Sequence, residues 1–545
     1  MSKLVLNGND SSSLIINTDN FVGSKVIDPN DMKYIRDTIK DLSDLDGKLV
    51  DGDIVFIKGY HEVNDGGEGT FVYSSVGSKE DHNGGTVIDT SKIFPNDWND
   101  ENLKNNWFNI NNTGTGVLNR FYNESIDVSW FGAKGDGATN DTLAVQSAID
   151  YCSSKELYFD TICKVTSQLI LPQLIRLKSN SKIEGGGGGI YSTASSIFGS
   201  VLPASTNWTY ALFDLENITI KGSSSSTQQF MTLNSKVSLG WGTFRGCYFV
   251  NIFNYDFITT GILIESNNFQ NVIHMEIRWS DATFTNNYIG FINNTGLTTN
   301  SDGLVTIASA SSMHFTDNYI SSFPVGTNID APIPLLISGS RQISLVANRL
   351  DGGSLYSLSV IGGSSKVVAL ANKITSITTG QPIWISNSQH INISDNYVNG
   401  LTQDQYFAGG NSTLKDIVLK NNITNDSVST GIHRFVDNSY STSDIRLTGE
   451  GLYSYDFTGT IYFSSSQRDT MLINKATTGT QTIYIYSENF KAGDVFYVNT
   501  TASGGISQVY DVTNAATVYN SSTSGVPNPV KIYCAEDGIV TYSAY

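Results

Sequence analysis

The chain has 545 residues, of which 39% are hydrophobic and only 15% charged, so there is room for several domains, and apolar content is too high for disorder. The formal net charge of −18 argues against nucleic acid as a partner, because phosphate binding needs clustered Lys and Arg, but it leaves an acidic polysaccharide open. The four cysteines, Cys152, Cys163, Cys247 and Cys534, show no CxxC spacing and imply neither a disulfide framework nor a metal site. The opening MSKLVLNGND has no apolar signal core, and no 18-residue apolar run indicates membrane insertion.

In chain order, DPNDMKYIRDTIKDLSDL at 28–45 places Met32, Ile35, Ile39 and Leu42 at helical spacing and predicts one helix. GDIVFIKGYHEVNDGGEGTFVYSS reads as two strands around a Gly-rich turn, and GGTVID at 84–89 as a third. Residues 1–116 thus form a small α+β domain that closes at an Asn-rich linker near 105–116. His61, Glu62 and Asp65 in this domain match no metal-ligand spacing, so no metal or cofactor is expected.

The segment VSWFGAKGDGATNDTLAVQSAIDYC begins at Val128. Its GAKGDG lacks the GxxxxGK[ST] arrangement of a nucleotide loop. Asn140 or Asp141 can cap the following helix, whose stripe of Ala144, Val145, Ala148, Ile149 and Cys152 must bury itself. The open end of a β-solenoid, which otherwise exposes a template for edge pairing, is the surface it suits. Short strands follow at 156–160, 167–171 and 174–179, then five glycines at 185–189.

From Cys247 to Asn422 the chain repeats. Cys247, Asn267, Asn287, Asn318, Asn348, Asn372, Asn396 and Asn422 each follow a short apolar alternation and advance by 20, 20, 31, 30, 24, 24 and 26 residues. Irregular steps around a stable mean are what stacked coils with loops of variable length produce. In PIWISNSQHINISDNYV, Ile383 and Ile385 alternate, Asn387-Ser388 turns, and Ile391 and Ile393 alternate before Asp395-Asn396 turns again. An Asn at each bend can hydrogen-bond to the equivalent amide of the next coil. The fold class is therefore all-β, a right-handed parallel β-helix over 117–450 with its capping helix. Residues 451–545, where TIYFSS, DTMLIN, QTIYIYS and DVFYVNT alternate between turns, read as a separate antiparallel, sandwich-like domain for trimerisation or carbohydrate binding.

YHEVNDGGEGTFVY at 60–73 with HNGGTVI at 82–88, followed by VSWFGAKGDGATNDTLAVQSAI at 128–149, resembles the amino-terminal portion of bacteriophage tailspike proteins of the pectate-lyase-like superfamily, and more narrowly of capsule-degrading tailspikes such as those of Acinetobacter phages. The resemblance implies a homotrimer carried on a phage tail or baseplate protein. It also implies a site that cuts or deacylates a bacterial surface polysaccharide, and delivery in the virion without a signal peptide. It transfers no catalytic residue.

Hydrolysis of a glycosidic bond needs two carboxyl groups, about 5 Å apart for retention and about 6.5–9.5 Å for inversion. An elimination needs a base and neutralisation of a uronate. In NVIHMEIRWSDATF, inward Ile273, Met275 and Ile277 leave His274, Glu276 and Arg278 outward in a row, about 6.6 Å apart, with Trp279 and Asp281 at the turn. Trp279 can stack on a pyranose and Arg278 can bind an acidic substituent, with His274 and Asp281 beside them as substrate contacts. Coils lie about 4.8 Å apart, so Asp302 from above and Asp256 from below can approach Glu276. Glu276 is expected to be the acid and Asp302 its partner, with Asp256 and Asp281 as substitutes, in an endoglycosidase. Glu265, Asp317, Asp330 and Asp351 compete. A lyase using His274 and Arg278, an esterase using His314 or His390 without a GxSxG elbow, and a non-catalytic receptor-binding fibre are the other readings.

Overall fold

The computed structural model describes residues 3–7, 13–17 and most of 32–544. Outside the described residues lie short stretches that include 181–186, 201–208, 292–302, 323–331, 353–355, 376–381, 400–407 and 425–432. Between 433 and 491 only the strands are described. The chain forms two compact units, one of residues 1–223, 231–237 and 246–248, the other of residues 224–230, 238–245 and 249–545.

The first unit begins with a five-stranded sheet ordered Met32–Arg36, Ile54–Ile57, Gly69–Ser78, Thr115–Arg120 and Val87–Ile88. Its core gathers Ile39, Leu42, Tyr60, Phe71, Trp98, Trp107 and Leu118. The single helix expected over 28–45 is instead a strand, Met32–Arg36, followed by a 3-10 helix, Ile39–Leu45. The Asp41 carboxylate accepts the Thr38 N–H at 2.9 Å and starts the helix there, leaving Ile35 exposed on the strand. Apolar residues at helical spacing across such a break satisfy both arrangements. The Asn-rich stretch read as linker carries a helix, Glu101–Phe108, because the Asp100 carboxylate caps the amides of Asn102 and Leu103.

The GAKGDG loop is closed by carboxylates that occupy its own amides. Asp141 accepts Lys134 N–H and Gly135 N–H at 2.9 and 3.0 Å, and Asp136 accepts those of Ala138 and Thr139. An anion site is thereby filled from within. The helix Thr142–Tyr151 buries Ala144, Val145, Ala148 and Ile149, and Asn140 supplies its first acceptor at Thr142. Gln146 of this helix gives a hydrogen bond to Ile170 O and takes one from Ile170 N–H, so its side chain acts as the missing neighbour of a strand edge. The coils of this unit stack in parallel, with Ile126, Leu157, Leu177 and Leu215 forming one buried column.

The second unit is a parallel β-helix. Phe244, Ile264, Phe284, Phe315, Leu345, Ala369, Ile393 and Leu419 are successive register partners and all buried. A second inner column runs from Phe257 through Ile277, Ile307, Ile337 and Val360 to Ile385, and a third from Phe269 through Ile289, Ile320, Leu350 and Ile374 to Val398. At one corner, Asn267, Asn287, Asn318, Asn348, Asn372, Asn396 and Asn422 form the expected ladder, and all are buried. From Asn287 onward, each takes the backbone N–H and side-chain amide of the preceding Asn on its own Oδ1.

Two long columns of left-handed backbone run along the coils. Ser266, Asn286, Asp317, Ala347, Ala371 and Asp395 precede the ladder at φ of 54–56°. Trp241, Gly261, Asp281, Ser312, Gln342, Lys366, His390 and Asp416 form the other column. A non-glycine residue there costs about 1–2 kcal/mol, which the ladder's hydrogen bonds offset.

The expectation of antiparallel pairing throughout 451–545 needs correcting. Tyr453–Phe457, Thr470–Asn474 and Phe496–Thr500 pair in parallel, as do Ile461–Phe463, Ile483–Ile485 and Val509–Asp511. Among the described residues of this segment, antiparallel pairing is confined to Val495–Ala544, in the ladders around Val530–Glu536 and Ala516–Asn520. Alternation is the same for both polarities, so the short turns did not distinguish them.

Candidate active site

The strand His274–Ser280 alternates as its sequence predicts. Met275 and Ile277 are fully buried, while the side chains of His274, Glu276 and Arg278 are 35, 32 and 36% exposed. The preceding coil places Asn254, Asp256 and Ile258 beside His274, Glu276 and Arg278, and the following coil places Thr306 and Ala308 beside Glu276 and Arg278. Parallel register is what joins Asp256 to this row.

Arg278 organises the charges. Its guanidinium grips Asp256 in two places, Nη2 on Oδ2 and Nε on Oδ1, and its Nε also lies 3.7 Å from Glu276 Oε1. On the other side, His274 Nε2 stands 3.9 Å from Glu276 Oε2, and His274 Nδ1 is 3.0 Å from the carbonyl of Gly303. A carbonyl only accepts, so Nδ1 carries the proton, and the ring presents a second proton to Glu276 only as imidazolium.

His274, which as imidazolium turns its Nε2 proton toward the carboxylate, and the charge of Arg278 hold the Glu276 carboxyl below the ordinary glutamate value of 4.5 despite partial burial. Glu276 is therefore ionised at neutral pH, a state that suits a base or nucleophile. A proton donor would need its affinity raised.

Of the other expected residues, Asp302 lies outside the described residues, although its neighbour Gly303 contacts His274. Trp279 is in the strand opposite Thr259, and its side chain also lies outside what is described. Asp281 is exposed in the left-handed corner, its N–H donating to Ser311 O. Trp241 was missed. It is 74% exposed at the same corner column, two coils before Asp281, and a Cβ on the intervening Gly261 would meet its ring at 3.3 Å. Glycine at 261 thus lets the indole lie flat on the coil, a relationship visible in the sequence only as a 20-residue step.

Three of the competing carboxylates have structural employment. Glu265 pairs with Arg245 at 2.8 Å, Asp317 is a left-handed corner residue, and Asp351 is buried against Arg349 at 2.5 Å. Asp330 lies outside the described residues. His390 Nδ1 contacts Asp416 at 2.9 Å. Among the described residues, no group of His, Cys, Asp and Glu could hold a metal ion, and no helix is long and apolar enough to cross a membrane.

Residues 36–101 match the family of phage tail protein small four-stranded β-sheet domains. A stretch of 61 residues, 10% of the chain, is 41% identical to "Depolymerase 1, capsule K30/K69-specific" of Klebsiella phage K5-2, and spans 7% of that protein's length. Among solved structures, the tailspike of Acinetobacter phage vB_ApiP_P1 aligns with 89% of this chain and 68% of its own at 13% identity and a TM-score of 0.42. The enzymatically active domain of tailspike protein 2 of bacteriophage CBA120 aligns with 79% of this chain and 60% of its own at 14% identity and a TM-score of 0.41. The resemblance to phage tailspikes noted at 60–88 thus falls within a phage-tail domain, and that domain places the chain in the virion tail.

Proposed function

Starting from a β-helical chain that carries a phage-tail domain, we propose that it is a tailspike depolymerase, an endoglycosidase that hydrolyses a bacterial surface polysaccharide during attachment to the host. Residues 1–116 join the tail, the coils of 117–450 carry the active site, and 451–545 serve trimerisation or sugar binding in a homotrimer. The observation that carries the reading is Glu276, an ionised carboxylate held between His274 and Arg278 on an open face, one coil from Asp256.

In this mechanism Glu276 is the base or nucleophile. Arg278 supports it electrostatically and is itself restrained by Asp256. Asp302, next in sequence to the Gly303 that touches His274, is the proton donor from the coil above, and Asp256 is the reserve carboxyl. Trp241, Trp279 and Asp281 hold the sugar rings. The guanidinium of Arg278 already faces two carboxylates, which leaves it poorly placed to neutralise a uronate and speaks against a lyase.

The test is mass spectrometry of products from purified capsules of a panel of host strains, with absorbance near 232–235 nm read alongside. Saturated oligosaccharides of repeat-unit mass are expected, and Glu276→Gln should abolish them while binding persists. Unsaturated, absorbing products would overturn the hydrolase in favour of a lyase. Intact polymer from a capsule that the chain binds would leave an adhesive fibre.

A further inference from the structure

A second outward column runs along the coil axis on a different sheet from Glu276. Tyr288, Tyr319, Arg349, Lys373 and Tyr397 are register partners on five successive coils. At about 4.8 Å per coil they span about 19 Å, the length of a short oligosaccharide.

Of the aromatic members, Tyr288 offers a ring face. A Cβ at Gly290 would strike the Tyr288 hydroxyl at 2.7 Å, so this glycine lets the Tyr288 ring lie down over the strand with its other face outward. Tyr319 meets Tyr288 edge-on at 5.3 Å, and the Arg349 guanidinium sits 4.4 Å from the Tyr319 ring centroid. Tyr397 is 41% exposed at the far end.

The cations are local to this part of a strongly acidic chain. Residues 332–424 contain six Lys and Arg against four Asp and no Glu, whereas the whole chain carries −18. Arg349 is half exposed and shares its charge with buried Asp351, whose second oxygen, Oδ1, has no hydrogen-bond partner. Lys373 is exposed and has no side-chain partner among the described residues. Exposed or half-buried tyrosines interleaved with exposed cations suit pyranose rings that bear carboxylates. An apolar protein surface would not need the cations, and a neutral glycan would leave them unused.

We propose that Tyr288, Tyr319, Arg349, Lys373 and Tyr397 form a non-catalytic binding surface for an anionic polysaccharide strand laid along the coil axis, separate from the Glu276 site. The proposal rests on the reading of the ligand as a polysaccharide but does not require cleavage. It keeps an acidic polymer on the protein while another segment of it occupies the active face.

The experiment is affinity electrophoresis of the full chain in gels containing purified uronate-rich capsular polysaccharide, with neutral dextran as control. The parent carries Glu276→Gln, so that the polymer stays intact. Lys373→Glu and Tyr397→Ala are each expected to weaken retardation about five-fold, with no retardation in dextran and loss of retardation as salt rises. Lys373→Gln, a milder change, guards against misfolding and should give an intermediate loss at unchanged melting temperature. Retardation indifferent to all three substitutions, or equal in dextran, would overturn the proposal. So would a shift in sedimentation mass without a change in glycan binding, because the column would then be an interface between copies of the chain. Failure of the glycosidase reading shows separately, as absence of cleavage by the unsubstituted chain.

Discussion

Asn348 donates both its backbone N–H and its side-chain Nδ2 to the single Oδ1 of Asn372, at 2.8 and 3.0 Å, while its Nδ2 also reaches the carbonyl of Phe315 at 2.8 Å. One buried amide thus closes the corner of its own coil and binds the next. Repetition of this contact through seven coils is what lets the loops between them vary in length without disturbing the register.

Asn372→Ala leaves two buried donors of Asn348 without an acceptor, for which the expected loss is roughly 2–4 kcal/mol. Chemical denaturation together with hydrogen exchange at the Asn348 amide checks it. Exchange should accelerate at the coils next to the substitution and change little several coils away, since each coil is stabilised by its neighbours.

His274 holds down the proton affinity of Glu276, so the sign of the pH effect follows. With its folded value below 4.5, Glu276 remains ionised above that range and gains a proton only as the pH falls through the lowered value. The acid limb of the cleavage rate should therefore lie below 4.5, and His274→Ala should move it upward. A pH–rate profile of both proteins decides this, and an unmoved limb would dissociate Glu276 from the reaction.

Trp241→Ala removes a side chain that is largely in solvent, and is expected to raise KM several-fold at unchanged melting temperature. Asp281→Gly places glycine where φ is already +56°, so stability should hold or rise by up to about 1 kcal/mol while KM increases. Steady-state kinetics on a defined oligosaccharide, alongside thermal melts, separates substrate contact from a merely structural corner.

In the N-terminal sheet domain, His82 is buried as a neutral ring. Its Nε2 donates to Trp107 O at 2.8 Å and its Nδ1 accepts Asp89 N–H at 3.0 Å, and burial lowers its pKa to about 4. A depressed folded value means that the stabilisation is complete above the unfolded value of about 6.5, shrinks below it as the unfolded chain takes up a proton, and is gone once the pH has fallen through about 4. The loss amounts to roughly 3 kcal/mol. Acid titration followed by Trp fluorescence should show this domain loosening across that window, and His82→Gln should flatten the dependence.

Much of the fold was legible in the chain itself, because it depends on periodicities that recur. A period of two buries Ile264, Phe284 and Phe315 on one face wherever the strand lies, and an Asn before each third strand marks the corner where a ladder must form. The same alternation set His274, Glu276 and Arg278 outward. Periodicity is blind to polarity and to breaks, which is why the strand Met32–Arg36 read as helix and the parallel strands of 453–511 read as antiparallel.

The geometry of the candidate site was decided in three dimensions. That Asp256 lies beside Glu276, that Arg278 turns toward it, and that Trp241 rests over Gly261 all depend on which residues the stacked register brings within a few ångströms across steps of 20 residues. Charge acts through that distance and not along the chain, so the lowered proton affinity of Glu276 follows from its neighbours in space. Periodicity along the chain specifies the coil, its inward columns and its Asn corner. Which outward side chains share an electrostatic field depends on the folded stack, because that field falls off over a few ångströms and is set by register and rotamer.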